Sequence, residues 1–135
     1  IIRTADAAGA DAVLVTQGSV DVFNGKIIRA SAGSLFRVPV VQGLDAQAVV
    51  LALAEAHITS YGLAGLGAIS LFELNNETLR QSTAWWLGSE AHGIPAEVLR
   101  SMQAVAIPMP GGAESLNVAV AGAIALYASV RAHSV

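Results

Sequence analysis

The chain has no cysteine, which excludes a disulfide framework and any thiolate metal site. Aromatic residues are scarce, with three phenylalanines, two tryptophans and two tyrosines in 135 positions. Charged residues make up 13% against 54% apolar ones, which excludes a disordered chain. The longest apolar stretch, residues 118–130, falls short of the ~20 residues a membrane-spanning helix needs, and Arg131 closes it. The start, Ile1-Ile2-Arg3-Thr4-Ala5-Asp6, lacks the cationic region and long apolar run of a signal peptide. It also lacks a helix start signal, so Ile1 is expected to lie inside an element. These absences together fit a cytoplasmic protein without membrane or metal.

Positive charge is sparse too, with 7 lysines and arginines against 10 acids and a net charge of −3. A domain that grips nucleic acid unaided should present a basic patch, because phosphate neutralisation supplies most nonspecific affinity. Here Lys26, Arg29 and Arg37 form a loose cluster and the other cations are scattered. If nucleic acid is bound at all, a partner chain or a further segment is expected to supply much of the grip.

What is present is an alternation of short apolar runs and helical patterns over one domain, 1–135. Residues 1–9 read as the end of a helix stopped by Gly9, and residues 12–15 as a buried strand. Residues 24–32 read as a helix and 38–41 as extended chain around Pro39. Asp45 is a good N-cap for a helix to about Ser60. Residues 67–71, 83–87 and 105–107 read as strands. Pro95 suits the first turn of a helix through Met102, and a long helix spans about 117–133. Alternating strands and helices predict an α/β fold with a mainly parallel sheet, and ligands of such sheets bind at the carboxyl ends of the strands.

Two loops there can carry chemistry. In Leu87-Gly88-Ser89-Glu90-Ala91-His92-Gly93, a glycine directly after a strand permits close approach of a ligand to the backbone, and a carboxylate follows two residues later. The same pattern also describes an ordinary strand-to-helix turn with a solvated glutamate. In the run from Ile107 to Asn117, two prolines and two glycines shape an irregular loop. Ser115 and Asn117 can cap the helix that follows, and that capping is also the plainer reading. His57, His92 and His133 show no metal-ligand spacing, and Ser31 and Ser34 lack a nucleophile-elbow pattern.

Both loops together, in this order before a last helix, resemble the second and third motifs of the SpoU (TrmH-like) family of SPOUT RNA 2′-O-ribose methyltransferases. The family pattern runs close to Gly-x-Glu-x-x-Gly, then Ile-Pro-Met, then Ser-Leu-Asn-Val-Ser-Val-Ala. The chain has Gly88, Glu90 and Gly93, then Ile107-Pro108-Met109, then Ser115-Leu116-Asn117-Val118-Ala119-Val120-Ala121, departing only at Ala119. The segment from Ile2 to Ala10 resembles the end of the first motif, whose asparagine and glycine would precede Ile1. Residues 26–36 match another family segment.

The resemblance implies a SPOUT α/β knot fold in which the carboxy-terminal segment forms a trefoil knot. It implies S-adenosyl-L-methionine as cofactor, touched by Gly88, Ile107 and Leu116, and methylation of a ribose 2′-hydroxyl in RNA, with rRNA preferred over tRNA. Arg3, Glu90, Ser115 and Asn117 match the polar positions around the substrate nucleotide. Arg3 suits phosphate and hydroxyl positioning better than proton removal, because a guanidinium is a poor base. Glu90 could instead orient Arg3 or stabilise the knot. The apolar carboxy-terminal helix and the family together imply a homodimer. An amino-terminal RNA-binding domain before Ile1 is a further expectation. The alternative is a nonenzymatic cofactor- or RNA-binding member of the same family.

Overall fold

The computed structural model describes residues 1–135, which divide into two compact units, Ile1–Val49 and Val50–Val135. In the first unit, helix α1 (Ile2–Ala7) stops where the sequence predicts. Gly9 takes φ +72°, its N–H donates to Asp6 O at 3.1 Å, and the N–H of Ala10 donates to Ala5 O at 2.9 Å. These are the two bonds of a Schellman cap, which needs a left-handed residue. Strands β1 (Val13–Thr16) and β2 (Val40–Leu44) pair in parallel.

Between them lies helix α2 (Gly25–Ser31), whose Asn24 side chain accepts from the Ile27 N–H at 3.0 Å. A short 3₁₀ turn, Ser34–Phe36, was not foreseen. It follows two left-handed residues, Ala32 and Gly33. The Val38 N–H closes this turn on Ser34 O at 3.0 Å, so β2 begins at Val40 rather than at Val38. Val22, Leu35, Val38 and Ile2 form the buried cluster of this unit, with Ile27 and Ile28 packed on it. Arg37 is no free member of a basic cluster: its guanidinium meets the Asp6 carboxylate at 2.6 Å and also donates to Ser34 Oγ at 3.1 Å.

Helix α3 (Ala46–Glu55) starts as expected, with Asp45 Oδ2 accepting from the Ala48 N–H at 2.9 Å. It does not continue to Ser60, because β3 (Thr59–Leu63) occupies that stretch. The stop lacks a glycine. His57 takes the left-handed conformation, φ +58°, and the His57 and Ile58 amides donate to Ala54 O and Leu53 O at 3.0 and 2.8 Å. The geometry matches the cap of α1, with a residue type that sequence patterns do not associate with helix ends.

In the second unit, β3 joins β4 (Ile69–Ser70), β5 (Thr83–Trp86) and β6 (Gln103–Ala106) in a four-stranded sheet ordered β4-β6-β3-β5. Every neighbouring pair is parallel, as the alternating pattern predicts. β4 is shorter than residues 67–71, and β6 begins earlier than Val105. Helix α4 (Asn76–Leu79), capped by Asn75, was not anticipated. Helix α5 (Ala96–Leu99) stops short of Met102, and Pro95 stands at its cap rather than in its first turn.

Helix α6 (Val118–His133) covers the sheet face that carries Tyr61, Trp85 and Val105, with Ala125 fully buried against them. A Cβ on Gly122 would come within 2.9 Å of Leu87 Cδ1. The Trp85 ring lies 5.2 Å from that of Tyr61, and its Nε1 donates to Ser129 Oγ at 3.0 Å. Trp86 alternates to the other face beside Gly62, where its indole N–H is buried without a partner. At the far end Arg80 Nε donates to Ala132 O at 2.8 Å, placing a cation at the helix carboxyl terminus. No helix is long and apolar enough to cross a membrane.

The Asp6–Arg37 contact makes stability pH-dependent. The hydrogen bond from Arg37, with a second from Ser34, holds the Asp6 carboxyl below the usual aspartate range. A depressed carboxylate contributes stability that is present above about pH 4, its unfolded value, and is lost as pH falls through the folded one. Urea denaturation of Arg37→Ala should therefore show a deficit against the unsubstituted chain at pH 7 that shrinks below pH ~4. A deficit constant across that range would contradict the assignment.

Candidate active site

Because β3, β5 and β6 run parallel, the loops that leave their carboxyl ends emerge on one edge of the sheet. β3 lies between β6 and β5, so the loops after β5 and β6 flank its end.

The loop after β5 folds back on itself. The Gly93 N–H donates to Ser89 O at 2.8 Å, and the His92 N–H donates to Ser89 Oγ at 3.1 Å. Gly93 sits at φ +66° to make the return. A Cβ on Gly88 would stand 2.1 Å from the Gly93 carbonyl carbon and 2.3 Å from Ile94 N. The close approach that Gly88 permits is thus, on its Cβ side, that of the chain's own backbone. The resulting hairpin-like loop leaves Glu90 exposed at its tip.

The loop after β6 runs from Ile107, which packs on the core beneath the sheet edge, to Asn117. Ser115 is exposed and caps nothing. Asn117 alone caps α6: its Oδ1 accepts from the Ala119 and Val120 amides at 2.9 and 3.2 Å. Its other end, Nδ2, donates to Glu90 Oε1 at 3.2 Å. The two loops singled out in the sequence therefore meet through one hydrogen bond between two predicted site residues. The choice left open for Glu90 gains a partner, Asn117.

Leu116 is 36% exposed, just before that cap. The amides of Gly88, Ile107 and Leu116 donate to no backbone carbonyl in the turns and loops. The rim thus offers free main-chain donors beside apolar side chains, which is what an uncharged heterocycle with polar edges requires. Arg3 lies in the first unit, on the exposed side of α1.

Sequence reasoning missed the loop after β3, residues 64–68, because β3 itself was hidden under the α3 pattern. The Ala64 N–H donates to Val105 O at 3.0 Å, and a Cβ on Gly67 would lie 2.6 Å from Ala106 N. This loop is pressed onto the end of β6 and presents Leu66 fully to solvent. The pair of close-set glycines, Gly65 and Gly67, was its available signal.

A parallel sheet with loops gathered at its strand carboxyl ends makes this an α/β domain of the open-sheet type, the class whose ligands bind at that edge. Comparison with known proteins narrows the class. The model of the SpoU rRNA Methylase family matches residues 1–127, and the chain belongs to that family. It is 40% identical over 128 residues, covering 94% of this chain and 50% of the relative, to the 23S rRNA (guanosine(2553)-2′-O)-methyltransferase RlmP of Bacillus subtilis. A 23S rRNA (guanosine-2′-O-)-methyltransferase RlmB of Xylella fastidiosa is 35% identical over 131 residues, 96% of this chain and 51% of the relative. The structure superposes with TM-score 0.89 on the SpoU methyltransferase AviRb of Streptomyces viridochromogenes in complex with AdoMet. That match has 33% identity and covers 99% of this chain and 54% of that one. The chain spans about half the length of the curated relatives it matches.

Two substitutions test how the site is held. Gly88→Ala forces backbone apart and should cost about 3 kcal/mol or more in chemical denaturation; a loss under ~0.5 kcal/mol would show that the loop can simply move. Asn117→Ala removes the cap of α6 and should cost ~1 kcal/mol. Asn117→Asp keeps the capping oxygen, and at pH 7 most of its loss should vanish when Glu90 is changed to Gln.

Proposed function

We propose that the protein methylates a ribose 2′-hydroxyl in RNA, with ribosomal RNA as substrate and S-adenosylmethionine as methyl donor. The observation that carries this reading is the Glu90–Asn117 hydrogen bond, which ties the second-motif loop to the third at the carboxyl ends of β5 and β6. Relatives at 40% and 35% identity are named as 23S rRNA 2′-O-methyltransferases, which supports the rRNA preference.

The rim fits the cofactor. Gly88, Ile107 and Leu116 would hold it through main-chain amides and through the apolar walls of Ile107 and Leu116. When bound, it supplies a methyl group on a positively charged sulfur, already activated for in-line attack by a hydroxyl. The chain's task is then to align the hydroxyl and to ease loss of its proton. Arg3 is assigned to the phosphate beside the reacting ribose, a role that a fixed cation fills better than proton removal. Asn117, with Oδ1 committed to α6, orients Glu90 rather than acting on substrate directly. Ser115, free of internal bonds, is available to the nucleotide.

The trefoil knot expected of the family, a cytoplasmic location and a homodimer belong to the same reading. Val120 and Tyr127 of α6 remain 48% and 49% exposed, apolar surface that a second subunit would cover. A partner chain or a further RNA-binding segment is still required to offset the net charge of −3.

Calorimetric titration with S-adenosylmethionine, S-adenosylhomocysteine alongside, should show one site, lost on Leu116→Asp with the fold retained. Transfer of labelled methyl to rRNA, but not to rRNA already 2′-O-methylated at the target, completes the test. Cofactor binding without transfer to any RNA would leave a nonenzymatic binding protein.

A further inference from the structure

The run 22–44 carries three of the chain's seven cations, Lys26, Arg29 and Arg37, and no acid. It builds α2 and the 3₁₀ turn behind it. Val22 and Leu35 anchor the two ends in one buried cluster, at 4% and 7% exposure. Their chain neighbours point the other way: Phe23 is 54% exposed and Phe36 80%. Both rings therefore stand in water, one just before the Asn24 cap and one at the end of the 3₁₀ turn that follows α2. The third phenylalanine, Phe72, is exposed as well but has no lysine or arginine within seven positions in sequence.

Between Phe23 and Phe36 in sequence, α2 turns Ile27 and Ile28 inward and leaves Lys26, Arg29 and Ala30 exposed. A Cβ on Gly25 would lie 3.2 Å from Arg29 Nη1, so that guanidinium lies back along the first turn, towards the end that carries Phe23. Neither Lys26 nor Arg29 forms an ion pair, whereas Arg37 is held by Asp6. The nearest acid in sequence, Asp21, has Oδ1 engaged by the Phe23 N–H at 2.9 Å.

Exposed aromatic faces interleaved with unpaired cations are what single-stranded nucleic acid recognises, by stacking and by phosphate contact. We propose that the exposed side chains of Phe23, Lys26, Arg29 and Phe36, carried by α2 and the turns at its two ends, bind a single-stranded stretch of the RNA substrate. The rings stack on bases, and the cations neutralise phosphates. The proposal rests on the RNA-methylating reading above and adds to it a docking surface remote in sequence from the motif loops. Since every base has a stacking face, this surface gives affinity and register, and leaves the choice of nucleotide to other contacts.

The test is fluorescence anisotropy of a short labelled oligoadenylate with the full chain at low salt, with S-adenosylmethionine titrated into each variant as a folding control. Phe36→Ala and Phe23→Ala should each weaken oligoadenylate binding about tenfold. Lys26→Ala should weaken it and lower the salt slope by about one, with cofactor affinity unchanged in all three. Unchanged binding in both phenylalanine variants overturns the surface. So does a preference of the unsubstituted chain for duplex RNA of equal length. A dimer that Phe36→Ala dissolves also overturns it, and assigns the rings to a second copy. Cofactor binding with no affinity for oligoadenylate sinks this surface alone. Oligoadenylate binding through these residues without cofactor binding supports the surface and sinks the methyltransferase reading.

Discussion

The carboxamide of Asn117 works in two directions, and the candidate site hangs on that. Its oxygen closes the open amides at the start of α6, and its nitrogen reaches the Glu90 carboxylate. α6 is in turn seated on the sheet through Ala125 and through the gap that Gly122 leaves for Leu87. A helix locked to the core thereby sets the position of a side chain that sets the position of a second loop. A carboxamide separates the two roles on two atoms, so the oxygen can serve the helix amino terminus while the nitrogen reaches outward to a carboxylate.

Glycine performs the complementary task, which is to let main chain lie on main chain. At Gly88 the returning residues 93–94 fill the space of a side chain, and at Gly67 the end of β6 does. Both contacts sit at strand ends on one edge, where three loops must share little room. The consequence is a rim shaped by backbone, with amides left over at Gly88, Ile107 and Leu116. Main-chain donors do not depend on side-chain rotamers, so such a rim is preorganised to the extent that its glycines are.

Charge is distributed unevenly between the chain's parts. Residues 22–44 carry cations without acids, while the net charge of the whole is −3. Positive potential is therefore local, and Arg37 contributes less to it than its sequence position suggests, since Asp6 engages it.

Much of this was legible in the residues. The caps at Gly9, Asp45 and Asn117, the parallel sheet and the two motif loops all follow from short-range chemistry, and the structure places Glu90 and Asn117 together. What could not be read has specific causes. His57 ends α3 in a conformation that glycine normally announces, so β3, an inner strand of its sheet, disappeared into a helix pattern. The loop after β3 went with it. Arg37 looked like a free cation because its partner Asp6 lies 31 positions away. Gly88 was recognised as a point of close approach, but what approaches it was visible only in the fold. By itself the sequence determined much of the local conformation, the family and which loops carry the motif residues, since those depend on neighbours along the chain and on motif spacing. Only the tertiary structure decided which groups pair and which atoms fill the spaces beside the glycines, because these contacts join residues that the chain separates and that packing alone brings within bonding distance.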